Sequence, residues 1–345
     1  MGNFSEVDPG GAGAGAGALA RVERSARTTE SVSVVICAYT EDRWSLLLEA
    51  VDSVRRQTRR PLEIVICIDH NDALLARTRE LFCADRRDDD LPIAVVANKY
   101  DGHLGSARNT AAEVARGDIL AFLDDDAAAD DDWLEILLAP YRDRSVVAIG
   151  GAPLPVYETR RPGWFPFEFD WVFGCSYRGL PETLGPLAHL IGANMSVRRQ
   201  ALEEIGGFHS DNHDDMDMCH RLADQRPNDL VLFEPHAVVR HFVVAERVTW
   251  RYFWRRCFFV NRGKVVAFEQ MAGAANLSAE RAFVLQALRR GATQGCRDAW
   301  RGDLWGLARA ASIVTGVSLA AAGHIVGRVD LVLRRLAAVA GTRRR

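Results

Sequence analysis

Four apolar runs in the first half of the chain alternate with segments of helical periodicity. Each run is rich in Val, Ile and Leu and ends in polar residues, which is typical of strands buried on both faces. The runs are SVSVVICAYT (31–40), LEIVICIDHND (62–72), LPIAVVANK (91–99) and DILAFLDDD (118–126). The segments between them, 44–57, 74–82 and 103–117, have the apolar spacing of helices. This alternation predicts an α/β fold with a mainly parallel central sheet flanked by helices.

The second half of the chain shows a different pattern. Residues 151–181 are rich in Pro, Gly and aromatic residues and predict loops and short strands over one edge of the sheet. A short strand with a helix, a second helix, a strand and a long helix are then predicted in 190–208, 213–225, 231–243 and 247–268. We therefore divide the chain into a disordered Gly/Ala-rich tail, a domain of two halves and a helical C-terminal extension: 1–30, 31–150 with 151–270, and 271–345.

Composition narrows the class of protein. A hydrophobic content of 48% and a charged content of 26% are typical of a soluble globular protein with a sizeable core. The net charge of -3 argues against a nucleic-acid-binding protein. Seven cysteines without a CxxC pair, and an N-terminus without a signal-peptide pattern, predict a reducing compartment and a cytoplasmic location.

Polar side chains follow three of the predicted strands where each strand ends. Thr40 and Glu41 follow the first, Asp69 follows the second, and Asp124–Asp126 follow the fourth. Ligands bind at the carboxyl ends of parallel strands, so these residues predict a binding site. The first strand is followed by CAYTEDRW, without the GxGxxG of dinucleotide-binding folds, and no GxxxxGK[ST] phosphate loop is present. A bound phosphate would therefore need a metal held by carboxylates.

The run FLDDDAAADDDW (122–133) has two halves with different interpretations. Asp124 and Asp126 suit Mg²⁺ or Mn²⁺, and we expect the chain to bend after Leu123, at the strand end, so that both face one ion. A solvated acidic loop is the alternative. The second half, 130–132, precedes the helical segment WLEILLAPY, so its aspartates are predicted to be N-cap and first-turn residues.

The order of several motifs resembles that of family-two glycosyltransferases with the GT-A fold. The motifs cover about residues 32 to 245 and are SVVICAYTEDR, IVICIDHND, GSARNTAAEVARGDILAFLDDDA, GANMSVRR, IGGF and DDMDMCHRL. The sequence departs from the family pattern at Cys37, usually Pro, at Thr40, usually Asn, and at Asp214, usually Glu. The resemblance implies that 31–150 binds a nucleotide sugar and that 151–270 binds the acceptor.

The resemblance also implies roles for particular residues. Donor-binding residues would be Ala38, Thr40, Glu41, Asp69, Arg108, Asp124 and Asp125. Of these, Asp69 would accept a hydrogen bond from a uracil or guanine ring, and Arg108 would reach the diphosphate or neighbouring donor groups; from the sequence alone Arg108 is equally a helix-surface arginine. The implied metal ligands are Asp126 and His241, with Mg²⁺ or Mn²⁺ as the cofactor. A half-buried strand histidine is the alternative for His241.

Asp215 is the implied catalytic base. Sugar transfer with inversion needs a carboxylate that takes the proton from the acceptor hydroxyl. From the sequence alone, DDMD is equally a helix N-terminus with capping acids. Asn194, Asp214 and Trp171 are placed on the acceptor side, and Asp217 is expected to orient Arg221. The remaining candidates for a metal site do not match a standard zinc spacing: His209, His213, His220 and Cys219.

Two segments suggest a membrane surface. The aromatic segment 164–181 and residues 247–264 of the predicted long helix resemble a subgroup that includes archaeal glucosyl-dolichyl-phosphate glucuronosyltransferases, which implies a polyprenyl-linked acceptor. Arg247, Arg251 and Arg255 recur every four residues and suit anionic headgroups, or else lie in solvent over a packed aromatic face. The uncharged stretch 310–327 predicts a buried or interfacial helix rather than a bilayer span.

These observations predict an inverting, metal-dependent glycosyltransferase. It would move a sugar from a nucleoside diphosphate, with UDP-sugars as the first candidates, to a glycan or lipid-linked hydroxyl at the inner membrane face. Two alternatives stay open from the sequence: a nucleotidyltransferase on a similar sheet, and a nucleotide-sugar-binding protein without turnover. The first would favour a glycine-rich, basic first loop, which CAYTEDR is not.

Overall fold

The computed structural model describes residues 30–83, 91–209, 213–269, 284–285 and 287–342. The predicted tail, except for its last residue, and the first part of the predicted extension lie outside these ranges. Their predictions therefore remain untested.

The first half of the domain forms the predicted parallel sheet. Its strands lie in the order β3-β2-β1-β4. They are β1 (Val32–Ala38), β2 (Glu63–Ile68), β3 (Ile93–Ala97) and β4 (Ile119–Asp124). The connecting helices are α1 (Trp44–Arg55), α2 (Asp72–Cys83) and α3 (Leu104–Val114). All six residues of β2 are buried, because helices cover both faces of the sheet. The α/β prediction is confirmed.

The rest of the domain extends this sheet, mostly with antiparallel pairs, although β6 and β9 pair in parallel. Beyond β4 the order continues β8-β6-β9-β5, and β7 pairs with β9. The strands are β5 (Ala127–Ala129), β6 (Val146–Tyr157), β7 (Gly185–Pro186), β8 (Asn194–Arg198) and β9 (Leu230–Val243). The helices are α4 (Trp133–Leu138), α5 (Arg199–Glu204) and α6 (Asp214–Gln225). The sheet is thus mixed, with β8 lying antiparallel between β4 and β6.

One prediction for this half is wrong. The segment from 151 was expected to be loop and short strand, yet its first part continues β6 to Tyr157. A side chain at Gly151 would lie 2.2 Å from the carbonyl oxygen of Ala237, so glycine permits β6 and β9 to approach at their bulge. The Gly-Pro composition of this strand therefore reflects close backbone packing rather than a loop.

The C-terminal part is helical, as expected. It comprises α7 (Trp250–Glu269), a π-helical turn (Ala287–Ala292), α8 (Thr293–Trp300) and α9 (Trp305–Thr342). An aromatic cluster of Phe165, Phe169, Phe173 and Phe253 joins α7 to a 3-10 segment, Phe167–Phe173. Helix α9 packs along α7, and a side chain at Gly323 would lie 2.2 Å from the carbonyl oxygen of Phe258. The extension is therefore attached to the second half of the domain.

Two helix boundaries differ from the predictions. The long helix begins at Trp250, so Arg247 lies in the preceding 3-10 turn, Ala245–Val248, and leaves the face of Arg251 and Arg255. The stretch 310–327 is part of the longer α9. Among the described residues, 305–336 form one helix long and apolar enough to cross a bilayer, and an 18-residue window of it has a mean hydropathy of 1.5.

Candidate active site

A turn between β4 and β5 brings the first aspartates together. Asp124 ends β4, the chain turns, and β5 begins at Ala127, which pairs with His241 of β9. The ligand atoms of Asp124, Asp126 and His241 all lie within 4.8 Å of one another. The expected bend at the strand end is therefore present, but it follows Asp124 rather than Leu123. The described residues contain this one group of His, Cys, Asp and Glu side chains that could hold a metal.

His241 and Arg43 compensate the charge of Asp126. The Nε2 atom of His241 lies 3.0 Å from Asp126 Oδ1, and Arg43 Nη1 lies 3.0 Å from Asp126 Oδ2. Burial would raise the pKa of Asp126, but the hydrogen bond and charge of His241, together with Arg43, lower it. Burial also acts to lower the pKa of His241, and its hydrogen bond to Asp126 raises that pKa well above the usual value.

Asp125 belongs to the same charged corner. Arg43 Nη1 lies 2.8 Å from Asp125 Oδ1. Burial raises the pKa of Asp125 to about 7, although Arg43 opposes the shift. Burial raises the pKa of Asp124 as well, against the lowering effect of Arg108. A set of carboxylate oxygens with one imidazole nitrogen suits Mn²⁺ or Mg²⁺, so the residues of this corner fit the predicted cofactor.

Arg108 connects this corner to the start of α6. Its guanidinium lies 3.2 Å from Asp124 Oδ1 and 2.6 Å from Asp214 Oδ2. It also donates to the carbonyl oxygen of Gly192 at 2.8 Å. Only 2% of the residue is exposed, which rules out the interpretation of a helix-surface arginine. With three partners already engaged, its main observed role is to hold the two carboxylates.

Asp215 is the acid of the pair that stays accessible. Asp214 is buried and binds Arg108, whereas Asp215 is partly exposed. Its Oδ2 accepts from the backbone N–H of Gly192 at 3.0 Å, and its Oδ1 accepts from the N–H of Met216 at 2.7 Å. Burial and the charge of Asp214 raise the pKa of Asp215 to about 6. This carboxylate is fixed in orientation and is a stronger base than an ordinary aspartate.

Gly192 is a residue that the sequence alone did not single out. A side chain there would lie 3.1 Å from the Arg108 guanidinium and 3.3 Å from Asp215 Oδ2. Glycine therefore lets the loop before β8 receive both side chains through its backbone. The motif GANMS contained the signal, but only the fold identifies the two partners.

The first two strand ends carry the other predicted donor residues. Ala38 is buried, and Thr40 and Glu41 follow it, with Thr40 capping the short 3-10 turn Glu41–Arg43. Asp69 Oδ1 accepts a hydrogen bond from Asn98 Nδ2 at 2.7 Å. Asn98, at the end of β3, was missed because its strand end carries no acid. Nucleotide contacts for all four donor candidates remain predictions.

Two acceptor-side candidates have different environments from one another. Asn194 is fully buried; its Oδ1 accepts from Trp133 Nε1 and its Nδ2 donates to Ala237 O, each at 2.8 Å. It therefore links β8 to α4 and β9 inside the core, rather than facing an acceptor. Trp171 lies in the 3-10 segment Phe167–Phe173 and is partly exposed, so an acceptor contact remains a prediction.

Two aspartates in the second half of the acidic run form surface ion pairs, and none caps the helix with its side chain. Asp132 is the N-cap of α4 but makes no capping hydrogen bond with its side chain. Asp130 pairs with Arg240 at 2.9 Å, and Asp131 lies 3.6 Å from Arg56. The prediction is thus correct that an aspartate, Asp132, occupies the N-cap position, but wrong that its side chain caps the helix. On α6, by contrast, the expected pair forms, with Asp217 Oδ2 2.6 Å from Arg221.

Comparison with known proteins identifies the family. The model described as "Glycosyl transferase family 2" matches residues 33–206. A Haloferax volcanii protein named glucosyl-dolichyl phosphate glucuronosyltransferase is 33% identical over 239 residues, covering 65% of this chain and 74% of its own. The chain belongs to glycosyl transferase family 2. It is therefore a glycosyltransferase, which answers the alternatives of a nucleotidyltransferase and a protein without turnover.

Other similar proteins are also glycosyltransferases by name. The Bacillus subtilis glycosyltransferase YwdF is 27% identical over 195 residues, covering 56% of this chain and 68% of its own. The mannosyltransferase PcManGT of Pyrobaculum calidifontis, solved with GDP-Man and Mn²⁺, has a TM-score of 0.50 at 17% identity, over 87% of this chain and 91% of that one. GalNAc-T7, solved with UDP, GalNAc and Mn²⁺, also has a TM-score of 0.50, at 18% identity over 74% and 54%. These neighbours confirm the GT-A fold.

We predict that Arg108→Leu lowers the free energy of unfolding of this glycosyltransferase by about 3–5 kcal/mol, because Asp124 and Asp214 lose their buried partner. Urea denaturation of the full chain measures the change. Arg56→Leu, which removes an exposed arginine from a 3.6 Å pair, is the control and should cost about 1 kcal/mol or less. Equal losses in the two variants would contradict the central role of Arg108.

Proposed function

We propose that the protein is an inverting, metal-dependent transferase that moves a sugar from a nucleoside diphosphate to an acceptor hydroxyl. The observation that carries the proposal is the continuous network from the Asp124–Asp126–His241 group through Arg108 to the pair Asp214 and Asp215. The network supports a candidate metal site at one end and a candidate base at the other. Such a separation suits a leaving diphosphate at one end and an entering hydroxyl at the other.

At the donor end, Asp124, Asp126 and His241 would hold Mg²⁺ or Mn²⁺. A bound divalent cation stabilises the charge of a departing diphosphate. Two arginines add positive charge at the same corner. Arg43 lies 3.0 Å and Arg247 lies 4.0 Å from Asp126 Oδ2. Asp69 offers only acceptor oxygens and so suits a ring N–H of uracil or guanine. A UDP-sugar is the first donor to test, followed by a GDP-sugar.

At the acceptor end, Asp215 would take the proton from the attacking hydroxyl. The hydroxyl oxygen bonds to the anomeric carbon while the bond from that carbon to the diphosphate oxygen breaks. Attack opposite the leaving group inverts the anomeric configuration. The backbone N–H groups of Gly192 and Met216 donate to the Asp215 carboxylate and hold it in place. Its raised pKa of about 6 leaves it ionised at neutral pH.

The acceptor in this proposal is linked to a polyprenyl phosphate at the cytoplasmic membrane face. The similarity to a dolichyl phosphate glycosyltransferase supports a lipid acceptor. Helix α9 exposes an apolar stripe of Ile325, Val329, Val332, Leu333 and Leu336. Arg251, Arg255 and Arg328 are exposed on the same pair of helices and suit anionic headgroups. The described cysteines are all free thiols, which supports the cytoplasmic side.

We predict that Asp215→Asn lowers kcat by about 100-fold or more while the donor dissociation constant in Mn²⁺ stays unchanged, because the amide cannot accept the proton. Turnover of UDP- and GDP-sugars and calorimetric donor binding measure the two effects. In the wild type, kcat/KM should fall as the pH drops through about 6, where Asp215 becomes protonated. Asp224→Asn, on the exposed side of α6, is the control. Turnover of Asp215→Asn near the wild-type rate would contradict the base assignment.

We predict that Asp126→Asn weakens Mn²⁺-dependent donor binding by about tenfold or more, because a neutral amide replaces a carboxylate ligand. Isothermal calorimetry with and without Mn²⁺ measures the effect. Asp131→Asn, an exposed residue of the same acidic run, should bind the donor like the wild type. Unchanged donor affinity in Asp126→Asn would argue against a metal at this corner.

We predict that the full chain binds vesicles containing anionic lipid and that Leu333→Glu lowers this binding by about tenfold or more, because burial of one leucine contributes about 1.5–3 kcal/mol. Co-sedimentation with vesicles measures the bound fraction. Leu81→Glu on α2 is a matched control, since Leu81 is 53% exposed and Leu333 is 58% exposed. Equal binding by both variants would contradict the role of α9.

A further inference from the structure

The backbone fixes the position of Cys175 beside the metal ligand His241. The residue follows Gly174, whose φ of 75° ends the 3-10 segment in the left-handed region. The N–H of Cys175 donates to Asp170 O at 3.1 Å, and the next N–H, of Ser176, donates to Pro153 O at 2.8 Å. Cys175 itself is fully buried. The backbone hydrogen bonds and the surrounding packing therefore restrict which atoms the thiol can contact.

The thiol contacts the ring nitrogen of His241 that faces away from the aspartates. Cys175 Sγ lies 3.4 Å from His241 Nδ1, while His241 Nε2 faces Asp126. The carbonyl oxygen of Phe173 lies 4.0 Å from the same sulfur and can accept the thiol hydrogen. If the single S–H points to Phe173, the sulfur lone pairs face His241. The ring nitrogen Nδ1 must then carry a proton and donate it to sulfur.

We propose that Cys175 is a positioning residue that fixes the metal-binding tautomer of His241. The proposal rests on the metal site of the proposed function. The Nε2–H of His241 donates to Asp126 here, and an imidazole binds a metal through an unprotonated nitrogen. A proton held on Nδ1 therefore makes Nε2 the nitrogen that releases its proton when a cation binds beside Asp124 and Asp126. Metal-binding histidines usually donate their second N–H to a carboxylate, a backbone carbonyl or water. Here a buried thiol takes that place.

The charge of the corner explains why a thiol suits this position. Asp124, Asp125 and Asp126 already place three carboxylates within one turn of chain, and two of them are nearly fully buried. A fourth carboxylate behind His241 would add uncompensated negative charge to a buried region. A neutral thiol accepts the N–H without adding charge, and it packs as a small apolar side chain.

The same residue connects the metal corner to the C-terminal extension. Cys175 belongs to the buried cluster that includes Phe169, Phe173 and Phe253, and Ile313 of α9 lies in this cluster as well. The packing of α9 and α7 therefore supports the segment that places the thiol. A metal ligand on β9 is in this way held by elements from outside the parallel sheet.

Manganese binding by the full chain tests the proposal. The free Mn²⁺ signal in electron paramagnetic resonance gives the dissociation constant without a donor or turnover. Cys175→Ala and Cys175→Val both remove the sulfur that accepts the hydrogen bond. The valine also fills the space of the thiol with an apolar side chain. Both should weaken Mn²⁺ binding by about 10- to 100-fold. Cys175→Ser retains a hydroxyl acceptor and should bind more tightly than either.

Cys257→Ala is the matched control. Cys257 is a fully buried thiol of the same cluster, so its removal costs similar packing. Its described hydrogen bonds do not include His241. It should lower Tm about as much as Cys175→Ala and keep the wild-type affinity for Mn²⁺. Nitrogen-15 NMR with Mg²⁺ should show His241 protonated at Nδ1 in the wild type and a mixture of tautomers in Cys175→Val.

The outcomes separate this inference from the proposed function. Wild-type Mn²⁺ affinity in both Cys175→Ala and Cys175→Val would overturn the positioning role while leaving the metal site intact. Equal weakening in Cys175→Ser and Cys175→Val, or an equal loss in Cys257→Ala, would also overturn it. A wild-type chain that binds neither Mn²⁺ nor Mg²⁺ would instead overturn the metal site on which both proposals stand.

Discussion

The buried guanidinium of Arg108 is the interaction on which the arrangement of the site depends. It joins Asp124, at the end of a central parallel strand, to Asp214, at the start of a helix about ninety residues later in the chain. Charges buried this deeply are stable only with a close partner. The guanidinium and the two carboxylates therefore fix one another, and the distance between donor and acceptor ends is set with them.

The loop that carries Gly192 completes this arrangement. The carbonyl oxygen of Gly192 accepts a hydrogen bond from Arg108, and its N–H donates to Asp215. The same residue therefore binds the arginine and orients the proposed base. The base is thus not placed by its helix alone. Replacing Arg108 would therefore alter the position of the Asp215 carboxylate through the Gly192 loop, and its pKa through the charge of Asp214.

The dense acidic run is tolerated because each part has its own compensation. His241 and Arg43 offset Asp126, Arg43 also offsets Asp125, and Arg108 offsets Asp124. Further along, Asp130 and Asp131 have arginine partners at the surface. What the sequence presents as one feature is a buried corner, suited to a cation, followed by two solvent-screened pairs.

Local pattern was enough to predict the parallel half of the fold. Continuous apolar runs with polar ends, alternating with helical segments, are typical of a sheet covered on both faces, and this brings the residues that follow the strands, such as Asp69 and Asp126, to one edge. Order and spacing of motifs added the family and pointed to Asp215 and His241. Periodicity was less informative in β6, where glycines that permit close strand contact look the same as glycines of a loop.

Only the tertiary structure decided which side chains become partners. Arg108 and Asp214 are 106 residues apart, and Cys175 and His241 are 66 apart, so neither pair leaves a local signal in the sequence. The same holds for Asn194, which its motif placed near the acceptor and which packing buried between α4 and β9. Residue types and strand ends follow from short-range pattern. Burial, pKa and the choice of partner depend on contacts made across the fold, and the sequence by itself does not specify them.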